Sequence, residues 1–182
     1  GPSFAGHASL AGFSDFVIAT GGSSIGMGGP PMVEAALGLA LTASELAGVE
    51  MHEMTGGIDL LVDDEHQAIA AARRYLSYWR TDPLDPGPSG PAAAGAERIA
   101  DLVTDRAGAD GPYDIVPVLE ALVDEGSLFG LRPQFARSVI TAFARSDGRS
   151  VGILASQPLV GDGAIDEQAA IKAARFVELC DA

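Results

Sequence analysis

The chain has 182 residues and a formal net charge of −14, with 25 acidic side chains against 11 basic ones. An acidic surface of this kind argues against nucleic acid and anionic membranes as partners, since both reward clustered Lys and Arg. No run approaches the roughly 20 apolar residues of a membrane span and no signal peptide is legible. A single cysteine, Cys180, allows no disulfide framework, so the expected setting is cytoplasmic.

The stretch from Gly1 to Gly38 carries the densest signal in the chain. A small-residue turn, Phe4-Ala5-Gly6-His7, runs into a helical run over Ala8 to Gly12, then an apolar strand over Phe16 to Ala19. A second glycine turn, Gly26-Met27-Gly28-Gly29, opens another helix at Pro30. Twice, glycines bring the backbone close to something just where a helix begins. Free N–H groups and the positive end of a helix dipole there suit an oxyanion or a phosphate. No side chain in the stretch is an obvious nucleophile, so the expected site is one of backbone donors. Thr20, Ser23 and Ser24 have no His–Asp company in sequence, which argues against a serine hydrolase.

Thr42-Ala43-Ser44-Glu45 is a capping box that predicts a short helix stopping at Gly48. Val49 to Met54 reads as extended, Thr55-Gly56-Gly57 as a turn and Ile58 to Val62 as a buried strand. Asp63 or Asp64 then caps a long helix, Glu65 to Trp79, with Ala68, Ile69, Ala72, Leu76 and Trp79 at helical spacing. Tyr75, Tyr78 and Trp79 read as packing residues. The alternation of short apolar strands with helices indicates a layered α/β structure.

Between Thr81 and Pro112 the composition turns to Pro and Gly, as in a linker, crossed by one amphipathic patch from Glu97 to Val103. A second unit begins at Tyr113. A helix over Asp114 to Val123 tolerates Pro117 in its first turn, and Leu128 to Leu131 is a brief strand. Val139 to Ala144 and Val151 to Ala155 flank Ser146-Asp147-Gly148-Arg149, a strong hairpin signal. Asp166 caps a last helix, Glu167 to Leu179, expected to turn Ala170, Ala173, Ala174 and Val177 inward. Cys180 reads as a buried small apolar residue. The scattered histidines and lone cysteine have no metal-ligand spacing, so no metal is expected. A strand would be expected next after Ala182, and the chain reads as a central fragment.

These residues carry a resemblance. Phe4-Ala5-Gly6-His7-Ala8, Ile25-Gly26-Met27-Gly28-Gly29-Pro30 and Gly56-Gly57-Ile58-Asp59 resemble motifs of the carboxyltransferase component of biotin-dependent acyl-CoA carboxylases. So do Val62-Asp63-Asp64-Glu65, Arg73-Arg74-Tyr75-Leu76-Ser77-Tyr78 and Tyr113-Asp114-Ile115. Asp147-Gly148-Arg149-Ser150-Val151-Gly152-Ile153 and Ile171-Lys172-Ala173-Ala174-Arg175-Phe176 complete the set, in the family's order and spacing.

The resemblance implies an α/β, crotonase-like ββα superhelix. Residues 1–82 would be the second half of an acyl-CoA-side domain, 83–112 a linker, and 113–182 the first half of a biotin-side domain. It implies transfer of a carboxyl group from carboxybiotin to the α-carbon of an acyl-CoA, through an enolate whose oxygen is held by the backbone N–H groups of Gly6 and His7. His7 stands where the family carries a small or amide residue, so its backbone rather than its ring is the expected contributor. Ala5, Gly28, Gly29 and Pro30 would line the thioester or pantetheine channel. The implied base is biotin itself after loss of carbon dioxide, which fits the lack of paired carboxylates, and the oxyanion pair that faces biotin lies in a part of the family beyond this chain. Biotin would be supplied on a separate carrier domain or protein, with a biotin carboxylase component as further partner and a homo-oligomer as the assembly. A biotin-dependent decarboxylase component and a truncated, non-catalytic assembly module remain alternatives. Arg73, Arg74 and Arg80 are candidates for the CoA phosphates by charge alone, against an exposed helix face. His52 reads as a structural polar residue and His66 as solvated.

Overall fold

Residues 1–79, 99–102 and 112–181 are described in the computed structural model. They fall into two units, Gly1–Ala72 and Arg73–Ala182. In the first unit, β1 (Pro2–Phe4) leads into α1 (Gly6–Gly12), then β2 (Ile18–Thr20) and β3 (Ser24–Gly26). Helices α2 (Pro30–Leu37), α3 (Ala43–Ala47) and α4 (Val49–Thr55) come next, before β4 (Leu60–Val62) and α5 (Glu65–Ser77). Strand β1 pairs with β3 and β2 with β4, both in parallel, with Phe4 opposite Gly26 and Ile18 opposite Leu60. Each strand thus pairs with the next but one. Parallel neighbours need a crossover; β1 reaches β3 through α1 and β2, and β2 reaches β4 through β3, α2, α3 and α4, the winding of a crotonase-like spiral. A small core of Ala19, Val49 and Ile58, with Val17, Ile25 and Leu61 packed around it, sits where the two strand pairs meet.

Two expectations need correction in this unit. Strand β3 lies where the sequence suggested only the approach to a glycine turn. Val49 to Met54, read as extended, is helix α4, entered from Gly48 and closed by Gly56 at φ 75°. The alternation that starts at Val49-Glu50-Met51 imitates a strand, but Glu and Met favour helix. The helical spacing turns Val49, fully buried, and His52 to the same side. The capping box of α3 forms as read: Thr42 Oγ1 accepts the Glu45 N–H at 3.2 Å and Glu45 Oε2 accepts the Thr42 N–H at 2.9 Å. That backbone bond from Thr42 holds the Glu45 carboxyl below its ordinary value.

The second unit comprises the end of α5, α6 (Val116–Leu122), β5 (Phe129–Leu131), β6 (Val139–Ser146), β7 (Arg149–Ser156) and α7 (Glu167–Asp181). Strands β5, β6 and β7 form an antiparallel sheet in that order. The expected hairpin is present. Ser146 faces Arg149, and Asp147 and Gly148 both take positive φ, 50° and 75°, as a type I′ turn requires. The buried Asp124 carboxylate accepts the N–H groups of Asp147 at 3.0 Å and Gly148 at 2.8 Å, fixing the turn from behind.

Tyr75, Tyr78 and Trp79 do pack. Tyr78 stacks on Phe129 and Phe143 with centroids 6.1 and 5.6 Å away, and its hydroxyl donates to the Ser127 carbonyl. Helix α7 presents Ala169, Lys172 and Phe176 inward, while Ala170, Ala174 and Val177 are exposed. In a helix so rich in alanine, apolarity does not single out a face. The ring of Phe176 and three carbonyls awaiting the Lys172 ammonium set it instead. Cys180 is exposed, against expectation, although its sulfur lies close over Gly152 and burial pushes its thiol up. Of the patch from Glu97 to Val103, residues 99–102 are helical; the rest, like most of the expected linker and Arg80, lies outside the described residues.

Candidate functional site

The first glycine turn is built on an unusual backbone. Ala5, the residue before α1, has φ 50° and ψ −116°. Those are the angles of the first central position of a type II′ turn, where glycine is favoured. Its N–H donates to the Gly26 carbonyl at 3.1 Å, and its carbonyl accepts the Ser9 N–H at 3.0 Å. Gly6 and His7 are the first two residues of α1. Among the described residues no acceptor stands against either N–H, as expected for the opening turn of a helix. Both residues are exposed, and the first turn of α1 holds no acidic side chain that would compete for an incoming oxyanion. The sharp turn at Ala5 thus presents two adjacent main-chain donors at the positive end of a short helix.

The second glycine turn is different. Gly29 caps α2, and Pro30 and Pro31 occupy its first two positions, so no N–H exists there. The next donors, Met32 and Val33, both turn back to the Gly29 carbonyl at 3.0 and 3.2 Å. The two glycine turns are therefore not equivalent: the first four residues of α2 offer no free amide, and its start shapes a wall. It lies beside the first turn. The Phe4 ring rests 3.1 Å from where a Cβ on Gly26 would stand and 3.8 Å from where one on Gly29 would stand. Ser9 Oγ points to the Met27 sulfur at 3.8 Å. Ala5, Gly6, His7, Gly28, Gly29 and Pro30 thus belong to one neighbourhood.

Three residues that support this neighbourhood were assigned no role at the site from the sequence, although Gly57 and Asp59 belong to a motif that carries the resemblance. His52 Nε2 lies 2.6 Å from the Ile25 carbonyl of β3. A carbonyl only accepts, so Nε2 carries the proton. A Cβ on Gly57 would stand 2.6 Å from His52 Nδ1, so glycine there leaves room for the ring. The buried Asp59 accepts the Val17 N–H at 2.9 Å and ties β2 to the chain entering β4. His52 was expected to be structural; it is, with a specific partner. His66 is exposed, as read. Arg74 is committed elsewhere, donating at 2.8 Å to the carbonyls of both Gly126 and Leu128 and lying over the Phe129 ring.

The second unit holds a cavity of about 350 Å³, lined by Asp114, Leu131, Ile140, Ala142, Gln157 and Lys172 among others. Several of its polar groups are engaged within the fold. Gln157 Nε2 donates to Asp114 Oδ1 at 2.7 Å, and Lys172 Nζ donates to the carbonyls of Phe135 and Val139 at 2.8 and 2.7 Å. Burial, with the Arg132 guanidinium nearby, brings the Lys172 ammonium down to about 8. Among the described residues no group of His, Cys, Asp and Glu is arranged to hold a metal ion, and no helix is long and apolar enough to cross a membrane.

The comparisons with known proteins agree in kind. The model of the carboxyl transferase domain matches residues 1–182. The propionyl-CoA carboxylase carboxyltransferase subunit of Haloferax mediterranei is 38% identical over 158 residues, which cover 84% of this chain and 30% of that protein. The uncharacterized carboxylase YngE of Bacillus subtilis is 35% identical over 187 residues, covering 100% and 36%. A transcarboxylase 12S crystal structure, a hexamer assembly with methylmalonyl-coenzyme A and methylmalonic acid bound, superposes with a TM-score of 0.87 at 32% identity. It covers 100% of this chain and 36% of that one. The chain thus spans about a third of the length of the relatives it matches.

Proposed function

Since the chain belongs to the carboxyl transferase domain family, we propose that its protein is the carboxyltransferase component of a biotin-dependent acyl-CoA carboxylase working in the cytoplasm. The observation that carries this reading is the pair of main-chain N–H groups at Gly6 and His7, without an acceptor among the described residues and presented by the strained turn at Ala5. The carbonyl oxygen of an acyl-CoA thioester accepts both. A base brought in with the biotin carrier would take the α-proton; as it does, negative charge grows on that oxygen, and donors already oriented toward it stabilise the enolate without reorganising. Each such donor lowers the barrier by about 2.7–4 kcal/mol. The positive end of α1 adds to the same field. Gly28, Gly29 and Pro30 line the channel that admits the thioester arm, where the glycines leave room for the chain to pass.

The carboxyl group comes from carboxybiotin, borne on a separate carrier domain or protein and charged by a biotin carboxylase component. The cavity of the second unit does not fit the ureido ring of biotin, because Gln157, Asp114 and Lys172 already spend hydrogen bonds on one another or on main-chain carbonyls. The half-reaction assigned to these residues is enolate formation. A homo-oligomer completes the proposal, on the strength of the hexameric relative.

The test uses the full-length protein with malonyl-CoA or methylmalonyl-CoA and free biotin. Biotin-dependent loss of the CoA-linked carboxyl group supports the reading. A decarboxylase component would also form carboxybiotin from the acyl-CoA; ATP-dependent carboxylation of acetyl-CoA or propionyl-CoA on addition of the biotin carboxylase component and carrier separates the two, and its absence would favour the decarboxylase. No turnover from a folded sample would leave a non-catalytic assembly module and sink the proposal.

A further inference from the structure

We infer that His52 is a positioning residue for the Gly6–His7 donor pair, acting through strand β3; this rests on the function proposed above. Successive carbonyls of a strand point to opposite sides. In β3 the Gly26 carbonyl points toward β1, where it accepts the Ala5 N–H at 3.1 Å. The preceding carbonyl, Ile25, points the other way, away from β1, and there it receives His52 Nε2 at 2.6 Å. The two consecutive peptide units are therefore pinned from opposite sides: one by the histidine and one by the residue whose backbone aims the donors. Ala5 cannot relax independently, because its angles are sparsely populated for a residue with a Cβ and persist only where the surroundings over-determine them. Removing the Ile25 clamp frees β3 to move by tenths of an ångström, and the Gly26 carbonyl carries that movement to Ala5 and the amides beyond it.

The rest of the chain serves the same contact. Helix α4 is anchored by fully buried Val49, one turn before His52, so the ring enters at a fixed height. Gly56, at φ 75°, ends the helix, and the Gly57 N–H bonds back to the His52 carbonyl at 2.8 Å. Gly57 does not have positive φ, so no backbone strain demands glycine there. What demands it is space, since a Cβ would stand 2.6 Å from Nδ1 and 3.2 Å from the His52 Cβ. The glycine makes room for the ring, and the ring holds the strand.

The test is a variant series in the full-length protein. His52→Ala and His52→Asn remove the donor at the Nε2 position and are expected to lower kcat at least tenfold with KM within about twofold. A donor pair that acts on developing charge affects the transition state more than substrate binding. His52→Gln returns an N–H near the Nε2 position and should recover most of the lost kcat. Gly57→Ala should imitate His52→Ala, and the double variant should be no worse than either single change, the signature of residues acting through one contact. A second readout needs no turnover: hydrogen exchange at the Ala5 amide should quicken at least tenfold in His52→Ala, while amides of β6 stay unchanged. Full kcat in His52→Ala, or additive effects of the two changes, would overturn the inference. If the wild-type protein proves inert toward acyl-CoA, the proposed function fails, and Ala5 exchange alone decides whether His52 holds the turn. An unchanged Ala5 amide would then refute it.

Discussion

If the donors at the start of α1 are main-chain amides, the residue that matters at position 7 is one that lacks an N–H, not one that lacks an imidazole. His7→Pro and His7→Ala separate the two. The His7 N–H belongs to the opening turn and has no intrahelical acceptor to lose, so proline removes one proposed donor and no helical hydrogen bond. Proline disfavours helical angles in the residue before it through that residue's N–H and Cβ; here the residue is Gly6, which lacks the Cβ. The same chain already carries prolines at the first two positions of α2. The expected stability change is therefore within roughly 1 kcal/mol. The expected kinetic change is large, about 10²–10³ in kcat, the effect of losing one oxyanion donor. His7→Ala keeps the amide and should retain kcat within about threefold. The assay is biotin-dependent decarboxylation of methylmalonyl-CoA by the full-length protein, with thermal unfolding of each variant alongside. Equal losses in both variants would mean that the ring does the chemistry. Full activity in a folded His7→Pro would mean that the amide does not.

Ala5→Gly should stabilise the protein by roughly 0.5–2 kcal/mol, read as a higher urea midpoint, because relief of the positive-φ penalty exceeds the added entropy of an unfolded glycine; a lower midpoint would deny the strain. Asp124→Ala should cost about 2–4 kcal/mol, because it strands the hairpin N–H groups of Asp147 and Gly148 that the buried carboxylate accepts; Asp124→Asn, which keeps one acceptor, should cost less, and a neutral Asp124→Ala would show that the turn holds without it. Lys172 gives a pH signature. The folded chain releases its proton near pH 8 and the unfolded chain near 10.4, so the unfolded state binds more protons in between and stability gains with rising pH across that window. The stability difference between wild type and Lys172→Met should therefore shift toward wild type from pH 7.5 to 10; a difference that stays flat would place the ammonium in water.

Much of the fold was legible because its signals are local. The Thr42–Glu45 box and the Asp147-Gly148 turn announce themselves by residue type at fixed offsets, and each formed; the buried strand read over Ile58 to Val62 is present as the half-buried Leu60–Val62. The misreadings have a common cause, which is that the deciding interaction was remote. Alanines line several sides of α7, and only the carbonyls of Phe135 and Val139, far back in the chain, decide that Lys172 turns inward. Val49-Glu50-Met51 alternates like a strand, and the placement of His52 against Ile25 of β3, distant in sequence, goes with its being a helix. Proline at both starting positions of α2 was visible in the sequence and sets that turn apart from the first, since proline has no N–H to offer.

The candidate site itself is the least legible part for a physical reason. Its functional atoms are main-chain amides, and every residue but proline has one, so the side chains at Gly6 and His7 say little about the role. What the sequence can register is the cost of aiming those amides: a residue forced to positive φ at Ala5, a Gly26 close enough for the Phe4 ring to cover it, a Gly57 emptied so that His52 can reach Ile25. These requirements are spread from Ala5 to Gly57 and include no nucleophile, acid or metal ligand. A backbone-donor site is therefore better sought as a set of small or strained residues converging on the start of one helix than as a catalytic motif. The direct measure of that view is coupling: changes at His52 and Gly57, which touch no substrate, should move kcat in step with His7→Pro, whereas substitutions on the exposed face of α7 should not move it at all.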